Sequence, residues 1–426
     1  MHWRQSVSYA SLTDVGFRRA NNQDSYAYQV CTEEETWRKR GHLFLVADGM
    51  GGHAVGELAS KIAADTVPHS FYQESDKPTG PALVEALTEA NRVIHERGTH
   101  NRDFERMGTT CTALSLSAEG AWIGHVGDSR CYRVRGGLIE QLTFDHSAQW
   151  ELVRQGAVKA EDVHLYHPRN VITRCLGPEP TVQADLEGPI PLQAGDKFLI
   201  CSDGLTGHVQ DEEIGFIVSC LQPRNAAKLL VHLANLRGGS DNTTVVIVHV
   251  GEATDTTAIN TPVTAQETSS SSPLILGGMW GVLAGMAGGI SLWILGQKAA
   301  GQALLVIATV GLIAWLCFLL KHRQSQQSPL LQFTAQQTQG PYRQASARVT
   351  RKFLGELASV VGELQRTSEE EGWDVDAERV RSLSAGAAEA VEQKKASNAM
   401  RMYGDAIEVF MKTIQEQRQL TENGSR

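Results

Sequence analysis

The sequence has no paired cysteines, no basic aromatic patch and no apolar leader, and each absence argues against a class of protein. Its seven cysteines are scattered and none forms a CxxC pair, which indicates free thiols in a reducing compartment rather than a disulfide framework. The net charge is −9, and without a cluster of basic and aromatic residues we expect no nucleic-acid partner. The first residues, MHWRQS, lack the apolar run of a signal peptide. We therefore expect the first domain to lie in the cytoplasm.

The first segment of the chain, residues 1–251, has the pattern of one globular domain of mixed α and β structure. Short apolar runs alternate with clusters of turn-forming residues, which predicts antiparallel sheets arranged as a sandwich. Apolar residues at three- and four-residue spacing interrupt these runs and predict helices. The helical stretches are 54–67, 81–97, 147–155, 211–220 and 224–236.

Changes in composition divide the rest of the 426 residues into further segments. Runs of Thr and Ser, and later of Gln and Ser, are typical of flexible linkers. Long apolar runs lie between the two linkers, and helical spacing returns after the second one. The segments are a Thr/Ser-rich linker (252–273), the apolar runs (274–320), a Gln/Ser-rich linker (321–341) and a C-terminal helical bundle (342–426).

The two apolar runs, residues 274–296 and 299–320, contain no charged residue. Each is long enough to cross a bilayer, which takes roughly 20 residues. The second run ends at Lys321-His322-Arg323, and positive flanks favour the cytoplasmic side. We therefore expect two transmembrane helices that form a hairpin in the cell membrane, with the domains on both sides of it in the cytoplasm. The alternative is a pair of core helices in a soluble domain.

Three stripes of apolar residues at helical spacing mark the C-terminal region. They predict three amphipathic helices, which would bury these faces against one another in a small bundle. The sequence names no partner for this bundle. The stripes are Phe353, Leu357, Val360 and Leu364; Val380, Leu383, Ala387 and Val391; and Tyr403, Ile407, Phe410 and Ile414.

Aspartates recur where apolar runs of the first domain end. Asp48, Asp128 and Asp203 follow such runs, Asp241 precedes one, and Asp24 lies in the motif RRANNQDS. Each by itself is typical of a turn or a cap. Together they place carboxylates at several strand ends without a matching set of Arg or Lys, and clustered carboxylates repel one another unless cations are present. Oxygen ligands without His or Cys favour Mg²⁺ or Mn²⁺.

The motifs around these aspartates are similar to those of the metal-dependent protein phosphatases, the type 2C serine/threonine class, in their bacterial form. The similarity covers about residues 6–250 and does not extend to residues 252–426. It implies an α+β fold, a two-layer antiparallel β-sandwich flanked by helices. The motifs occur in the order typical of the family: RRANNQDS, VADGMGGHAVGELAS, MGTTCTAL, HVGDSRCYR, LTFDHSAQWELVRQG, RNVITRCLG, CSDGLTGHV and SDNTTVVIV.

The resemblance implies a dinuclear Mn²⁺ or Mg²⁺ centre. Asp48 would bridge the two ions, and the carbonyl oxygen of Gly49 would bind one of them. Asp203 and Asp241 would complete the first site. Asp128, together with Asp203, would support a third ion that binds more weakly.

The resemblance also implies roles for residues near the ions. Asp24 would act close to them, partly through bound water. Arg19 matches the phosphate-binding arginine of the family by its spacing from Asp24, and the neighbouring Arg18 is the competing candidate. Met50 occupies the position of a histidine that serves as a proposed general acid in some members, so His53 or a water molecule would have to deliver the proton.

These features imply a serine/threonine protein phosphatase in which a metal-activated water attacks phosphorus, while the ions and Arg19 stabilise the charge on the transferring oxygens. Phosphoproteins and a cognate serine/threonine kinase are the expected partners, and the membrane hairpin would hold the enzyme near them. Two alternatives remain: a catalytically silent scaffold that binds phosphoproteins at the membrane, and a phosphatase for small molecules. The complete set of aspartates favours the enzyme over the scaffold.

Overall fold

The computed structural model describes residues 7–73, 77–100, 102–104, 106–166, 171–251, 302 and 340–424. Apart from Gln302, the predicted spans 274–296 and 299–320 lie outside these residues, and so does the linker 252–273. Among the described residues, no helix has both the length and the apolar character needed to cross a bilayer.

The strands of the described residues form two antiparallel sheets. The first sheet has the order β1-β11-β10-β7-β8-β12, and the second has the order β2-β3-β5-β6-β9, with β4 paired to β3. The strands are β1 (Val7–Asp14), β2 (Asp24–Gln29), β3 (His42–Met50), β4 (Gly108–Thr109), β5 (Cys111–Ser117), β6 (Gly120–Val126), β7 (Arg130–Arg135), β8 (Leu138–Gln141), β9 (Asp185–Ile190), β10 (Lys197–Cys201), β11 (Thr243–Val250) and β12 (Arg343–Ser346).

Helices cover the outer faces of both sheets, so the predicted α+β arrangement of antiparallel sheets and helices is confirmed. Short 3₁₀ helices lie at Arg102–Phe104 and Ala160–Leu165. The α-helices are α1 (Glu34–Lys39), α2 (His53–Phe71), α3 (Thr79–His100), α4 (Ala148–Arg154), α5 (Asp203–Thr206), α6 (Asp211–Cys220), α7 (Pro223–Leu236), α8 (Arg351–Glu370), α9 (Ala377–Glu392) and α10 (Ala396–Gly424).

Strand β3 shows why its sequence is a continuous apolar run rather than an alternating one. Successive side chains of a strand point to opposite faces, and both faces of β3 are buried. Leu43 and Leu45 pack with helices α2 and α3 in one core cluster, whereas Phe44 and Val46 pack between the two sheets in another. The run ends at Asp48, where the strand leaves the core for the edge of the sandwich.

The C-terminal segment belongs to the same compact unit as the first domain. Strand β12, which the sequence does not predict, pairs with β8 and places Arg343 opposite Gln141. The three predicted helices are present, and their apolar faces share one hydrophobic core with α6 and α7. An ion pair joins Lys228 of α7 to Glu408 of α10 with an N–O distance of 2.7 Å. The helices therefore pack against the first domain as well as against one another.

His232 of α7 is buried near α10, and its protonation should make folding sensitive to acid. Burial lowers the pKa of His232 to about 4, against the opposing effect of Glu408 and Asp14, and neither ring nitrogen has a hydrogen-bond partner. Lys228 and Lys412 also lie near the ring and disfavour its positive charge. An unfolded chain protonates its histidines near pH 6.5. The stabilising contribution is therefore complete above about pH 6.5 and is lost as the pH falls to about 4.

We expect His232→Leu to remove part of this acid sensitivity. The wild-type chain should lose about 3 kcal/mol more of its free energy of unfolding between pH 7 and pH 4 than the variant loses. Denaturant unfolding of both chains across this pH range measures the difference. The other buried histidines are present in both chains, so their contributions cancel. Parallel stability curves would contradict the prediction.

Candidate metal centre and active site

Asp24 and Asp48 lie directly opposite each other on neighbouring antiparallel strands, β2 and β3. The main chain of Asp48 is held on both sides by threonines. Its amide N donates to the Thr110 hydroxyl at 2.9 Å, and its carbonyl oxygen accepts from the Thr109 hydroxyl at 2.9 Å. With the backbone held in this way, the two carboxylates are presented at the same edge of the sandwich.

Three more aspartates reach this edge from other strand ends. Asp128 comes two residues after β6, and Asp203 comes two residues after β10 and begins the short helix α5. Asp241 comes two residues before β11, the strand that pairs with both β1 and β10. The antiparallel order thus gathers side chains that are far apart in sequence.

The electrostatics of these carboxylates show that they converge. Burial raises the pKa of Asp48 well above its usual range, and the neighbouring charges of Asp24, Asp203, Asp128 and Asp241 add to this effect. Burial also raises the pKa of Asp24 to about 7, although hydrogen bonds oppose the shift. Burial and the charge of Asp241 raise the pKa of Asp203 to about 6. Burial and the charge of Asp203 raise the pKa of Asp128 well above its usual range.

Several oxygens of this cluster have no partner within the protein. The Oδ1 atoms of Asp24, Asp128 and Asp203 are buried and make no hydrogen bond. A buried acceptor without a partner costs about 1–3 kcal/mol, and more when it is charged. Divalent Mg²⁺ or Mn²⁺ would satisfy such oxygens, so the donor set fits these ions. In the described part of the chain, no group of three carboxylates, imidazoles or thiols lies close enough together to hold a metal ion without further ligands.

Gly49 has a steric reason to be glycine. A Cβ atom at this position would lie 2.0 Å from the carbonyl oxygen of Gly56 and 2.7 Å from that of Gln23. Its amide N also donates to the Gln23 carbonyl at 3.1 Å. Any side chain would push the end of β3 away from α2, and Asp48 would move with it.

Arg19 contacts the cluster directly. Its Nη2 atom lies 2.7 Å from Oδ2 of Asp241, with 46% of the Arg19 side chain and 29% of the Asp241 side chain exposed. The structure thus places Arg19, which the resemblance assigns to phosphate binding, at the rim of the aspartate cluster. Arg18, the competing candidate, lies near His208 and helps to lower the pKa of that imidazole, after burial and Arg237.

Comparison with known proteins identifies the family of the first domain. A family model described as protein phosphatase 2C matches residues 18–233. The chain belongs to the protein phosphatase 2C family. The match includes Arg19 and the aspartates at 24, 48, 128 and 203, but it ends before Asp241.

Two curated relatives of this phosphatase 2C chain come from bacteria. This chain is 36% identical over 251 residues to the serine/threonine protein phosphatase PstP of Mycobacterium tuberculosis. The aligned region covers 57% of this chain and 45% of the relative. The chain therefore spans less than half the length of that relative. This chain is also 34% identical over 245 residues to protein phosphatase PhpP of Streptococcus pneumoniae. That alignment covers 57% of this chain and 96% of the relative.

Solved structures of bacterial serine/threonine phosphatases share the fold of this family member. The M. tuberculosis phosphatase PstP/Ppp has 33% sequence identity and a TM-score of 0.52, and the similarity covers 58% of this chain and 99% of that one. The phosphatase MsPP of Mycobacterium smegmatis has 36% identity and a TM-score of 0.51, with 57% and 98% covered.

Asn242 is a site residue of this phosphatase 2C chain that sequence reasoning missed. Its side-chain oxygen accepts from the amide N of Gln23 at 2.8 Å. Its side-chain nitrogen donates to the carbonyl oxygens of Val15 at 2.9 Å and Asn21 at 3.0 Å. One amide thus joins the loop before β2 to the loop that carries Asp241. Its place inside the motif SDNTT was the available signal.

Ser202 is a second missed residue of the phosphatase 2C site. Its hydroxyl donates to Oδ2 of Asp24 at 2.8 Å and accepts from the amide N of Thr244 at 2.9 Å. The serine thereby orients the Asp24 carboxylate from the opposite sheet. It directly precedes Asp203 in the motif CSDG, and sequence reasoning singled out only the aspartate of this motif.

Proposed function

We propose that this family member is a metal-dependent phosphatase that hydrolyses phosphoserine and phosphothreonine in proteins. The observation that carries the proposal is the convergence of five aspartates with three unpartnered buried oxygens. A site built only to bind phosphate would place cations and amide donors there, because carboxylates repel an anion. A centre that holds divalent ions needs this concentration of negative charge.

The carboxylates of Asp48, Asp203 and Asp241, with the main-chain oxygen of Gly49, would hold two Mn²⁺ or Mg²⁺ ions. Asp128 with Asp203 would hold a third ion. When bound, such ions lower the pKa of coordinated water and stabilise charge on phosphoryl oxygens. Water molecules would complete the coordination.

Two residues of the chain would act beside the ions. Arg19 would bind phosphoryl oxygens with its planar guanidinium fork. It is partly exposed and could reach a bound phosphate without leaving the rim. Asp24, held by Ser202, would orient water next to Asp48. Proton delivery to the leaving oxygen falls to a water molecule or to His53, whose side chain lies outside the described residues.

Metal binding should depend steeply on pH. Because burial raises the pKa of Asp24 to about 7 and that of Asp203 to about 6, divalent ions would have to displace protons from these groups. We expect the Mn²⁺ affinity to fall as the pH drops from 7.5 to 5.5, and binding to release protons. Calorimetric titrations in buffers of different ionisation enthalpy measure both effects. Affinity that is constant across this range would contradict the assigned ligands.

The full chain with Mn²⁺ tests the proposed activity. We expect turnover of a phosphothreonine peptide, little turnover of the same peptide carrying phosphotyrosine, and loss of turnover after chelation of the metal. Turnover of small phosphorylated molecules alone would favour the small-molecule phosphatase. Metal binding without any turnover would overturn the enzyme and favour the phosphoprotein-binding scaffold.

We further propose that residues 274–296 and 299–320 anchor the enzyme in the cell membrane, with both flanking domains in the cytoplasm. The support is the length of the two uncharged runs and the cluster Lys321-His322-Arg323. Anchoring would raise the local concentration of the phosphatase near a membrane-bound kinase and its phosphoprotein substrates. Deletion of residues 274–320 should move the protein from the membrane to the soluble fraction. If the deleted chain stays in the membrane fraction, the hairpin is not the anchor.

A further inference from the structure

Helix α10 is hydrogen-bonded to the loop between β1 and β2. The guanidinium group of Arg418 on α10 donates to two consecutive carbonyl oxygens, that of Gly16 at 3.0 Å and that of Phe17 at 3.3 Å. It also lies over the Phe17 ring, 5.1 Å from the ring centroid. A planar fork with donors on separate nitrogen atoms suits this task, whereas an ammonium group would donate to both carbonyls from one nitrogen.

The same loop carries Arg19, and it is hydrogen-bonded to the loop that carries Asp241. The amides of Phe17 and Arg18 both donate to the carbonyl oxygen of Gly239, at 2.8 and 3.1 Å. A Cβ atom on Gly16 would lie 2.4 Å from the carbonyl oxygen of Asp241, so the two loops are in close contact. A shift of the first loop would therefore change the position of Arg19 relative to Asp241.

Asp14, at the end of β1, adds a second tie between the same parts. Its Oδ1 accepts from the amide N of Gly16 at 2.8 Å and from the side chain of Asn235 on α7 at 3.0 Å. Its Oδ2 accepts from Gln415 of α10 at 3.4 Å. The loop is thus held from α7 and from α10 together.

We propose that Arg418 is a positioning residue for Arg19. Arg19 is about half exposed and pairs with Asp241, so the backbone of the 14–19 loop, rather than burial, sets its distance from that partner. Arg418 holds that backbone from a helix about 400 residues further along the chain. The inference rests on the proposed function, because it assigns Arg19 to phosphate binding. It gives the C-terminal helices a role in the reaction in addition to packing.

Steady-state kinetics on a phosphothreonine peptide test the proposal in the full chain. We expect Arg418→Ala to raise KM about fivefold, the effect of losing roughly one hydrogen bond's net stabilisation, while kcat changes less than KM. Arg418→Lys should restore part of the loss. Arg401→Ala is the matched control, because Arg401 lies on the same helix and pairs with Asp405 one turn away; its KM should equal that of the wild type.

A double-mutant cycle separates positioning from general stability. In an Arg19→Ala background, the change Arg418→Ala should have no further effect on KM, because Arg418 is proposed to affect KM only through Arg19. An equal effect of Arg418→Ala in both backgrounds would overturn the proposal. A lower melting temperature with an unchanged KM would overturn it as well and leave Arg418 a purely structural role.

Hydrogen exchange supplies a readout that does not need turnover. Amides of residues 14–19 should exchange faster in Arg418→Ala than in the wild type or in Arg401→Ala. Unchanged exchange in this loop would overturn the proposal. If the wild-type chain hydrolyses no phosphopeptide, the proposed function fails, whereas the exchange experiment still decides whether Arg418 holds the loop.

Discussion

Asp48→Asn is expected to reduce kcat about a thousandfold or more while the fold stays intact. The carboxylate of Asp48 lies opposite Asp24 and close to three other aspartates. An amide has one oxygen acceptor and no charge, so it would hold the proposed cations weakly, and the enzyme would lose the chemistry that they supply. In the metal-free protein the same change removes an acidic group whose charged form is disfavoured by burial and by the neighbouring carboxylates. The melting temperature without metal should therefore stay the same or rise.

Turnover of a phosphothreonine peptide and thermal unfolding, each with and without Mn²⁺, measure the two effects. Asp65→Asn is a suitable control, because Asp65 is an exposed residue on α2 and the same chemical change there should leave both properties unaltered. Mn²⁺ should raise the melting temperature of the wild type and of the control more than that of Asp48→Asn. Near-normal turnover by Asp48→Asn would show that the two-metal assignment is wrong.

Removal of residues 340–426 is expected to destabilise the catalytic domain by several kcal/mol and to promote aggregation. The outer faces of α6 and α7 share a continuous apolar core with α8, α9 and α10. Loss of these helices would expose buried side chains such as Leu229 and Ile217 to water, at a cost of about 1.5–3 kcal/mol for each fully exposed residue. Strand β8 would also lose its partner β12 and become an open edge.

Thermal unfolding of the full chain and of the shortened chain measures this contribution, and we expect the melting temperature to fall by about 10 °C or more. A point variant tests the same core without a deletion. Phe410 is 1% exposed, and Phe410→Ala should cost about 3–5 kcal/mol. Glu416→Ala, at an exposed position of the same helix, should cost little. Equal melting temperatures for the full and shortened chains would show that the shared core adds no stability.

The sequence alone determined the positions of the aspartates, the antiparallel character of the sheets and most of the long helices. The apolar run Leu43–Ala47 predicts a buried strand, and the prediction succeeds because both faces of β3 are covered. The helical spacing at 211–220 predicts α6 with the observed bounds. It did not predict α1, which has a single buried residue, Trp37, and hence no apolar periodicity. The membrane hairpin and the individual metal ligands stay predictions.

Only the tertiary structure decided what the aspartates and the C-terminal helices contact. Apolar periodicity shows that one face of a helix is buried, but the element that covers it depends on the whole chain, so α10 could be predicted as a helix and not as a partner of α7. Polar contacts leave even less trace in sequence. The pairs Arg19 with Asp241 and Arg418 with Gly16 join residues hundreds of positions apart. They form because the sheet order brings the ends of β1, β10 and β11 to one edge, where the last helix also lies.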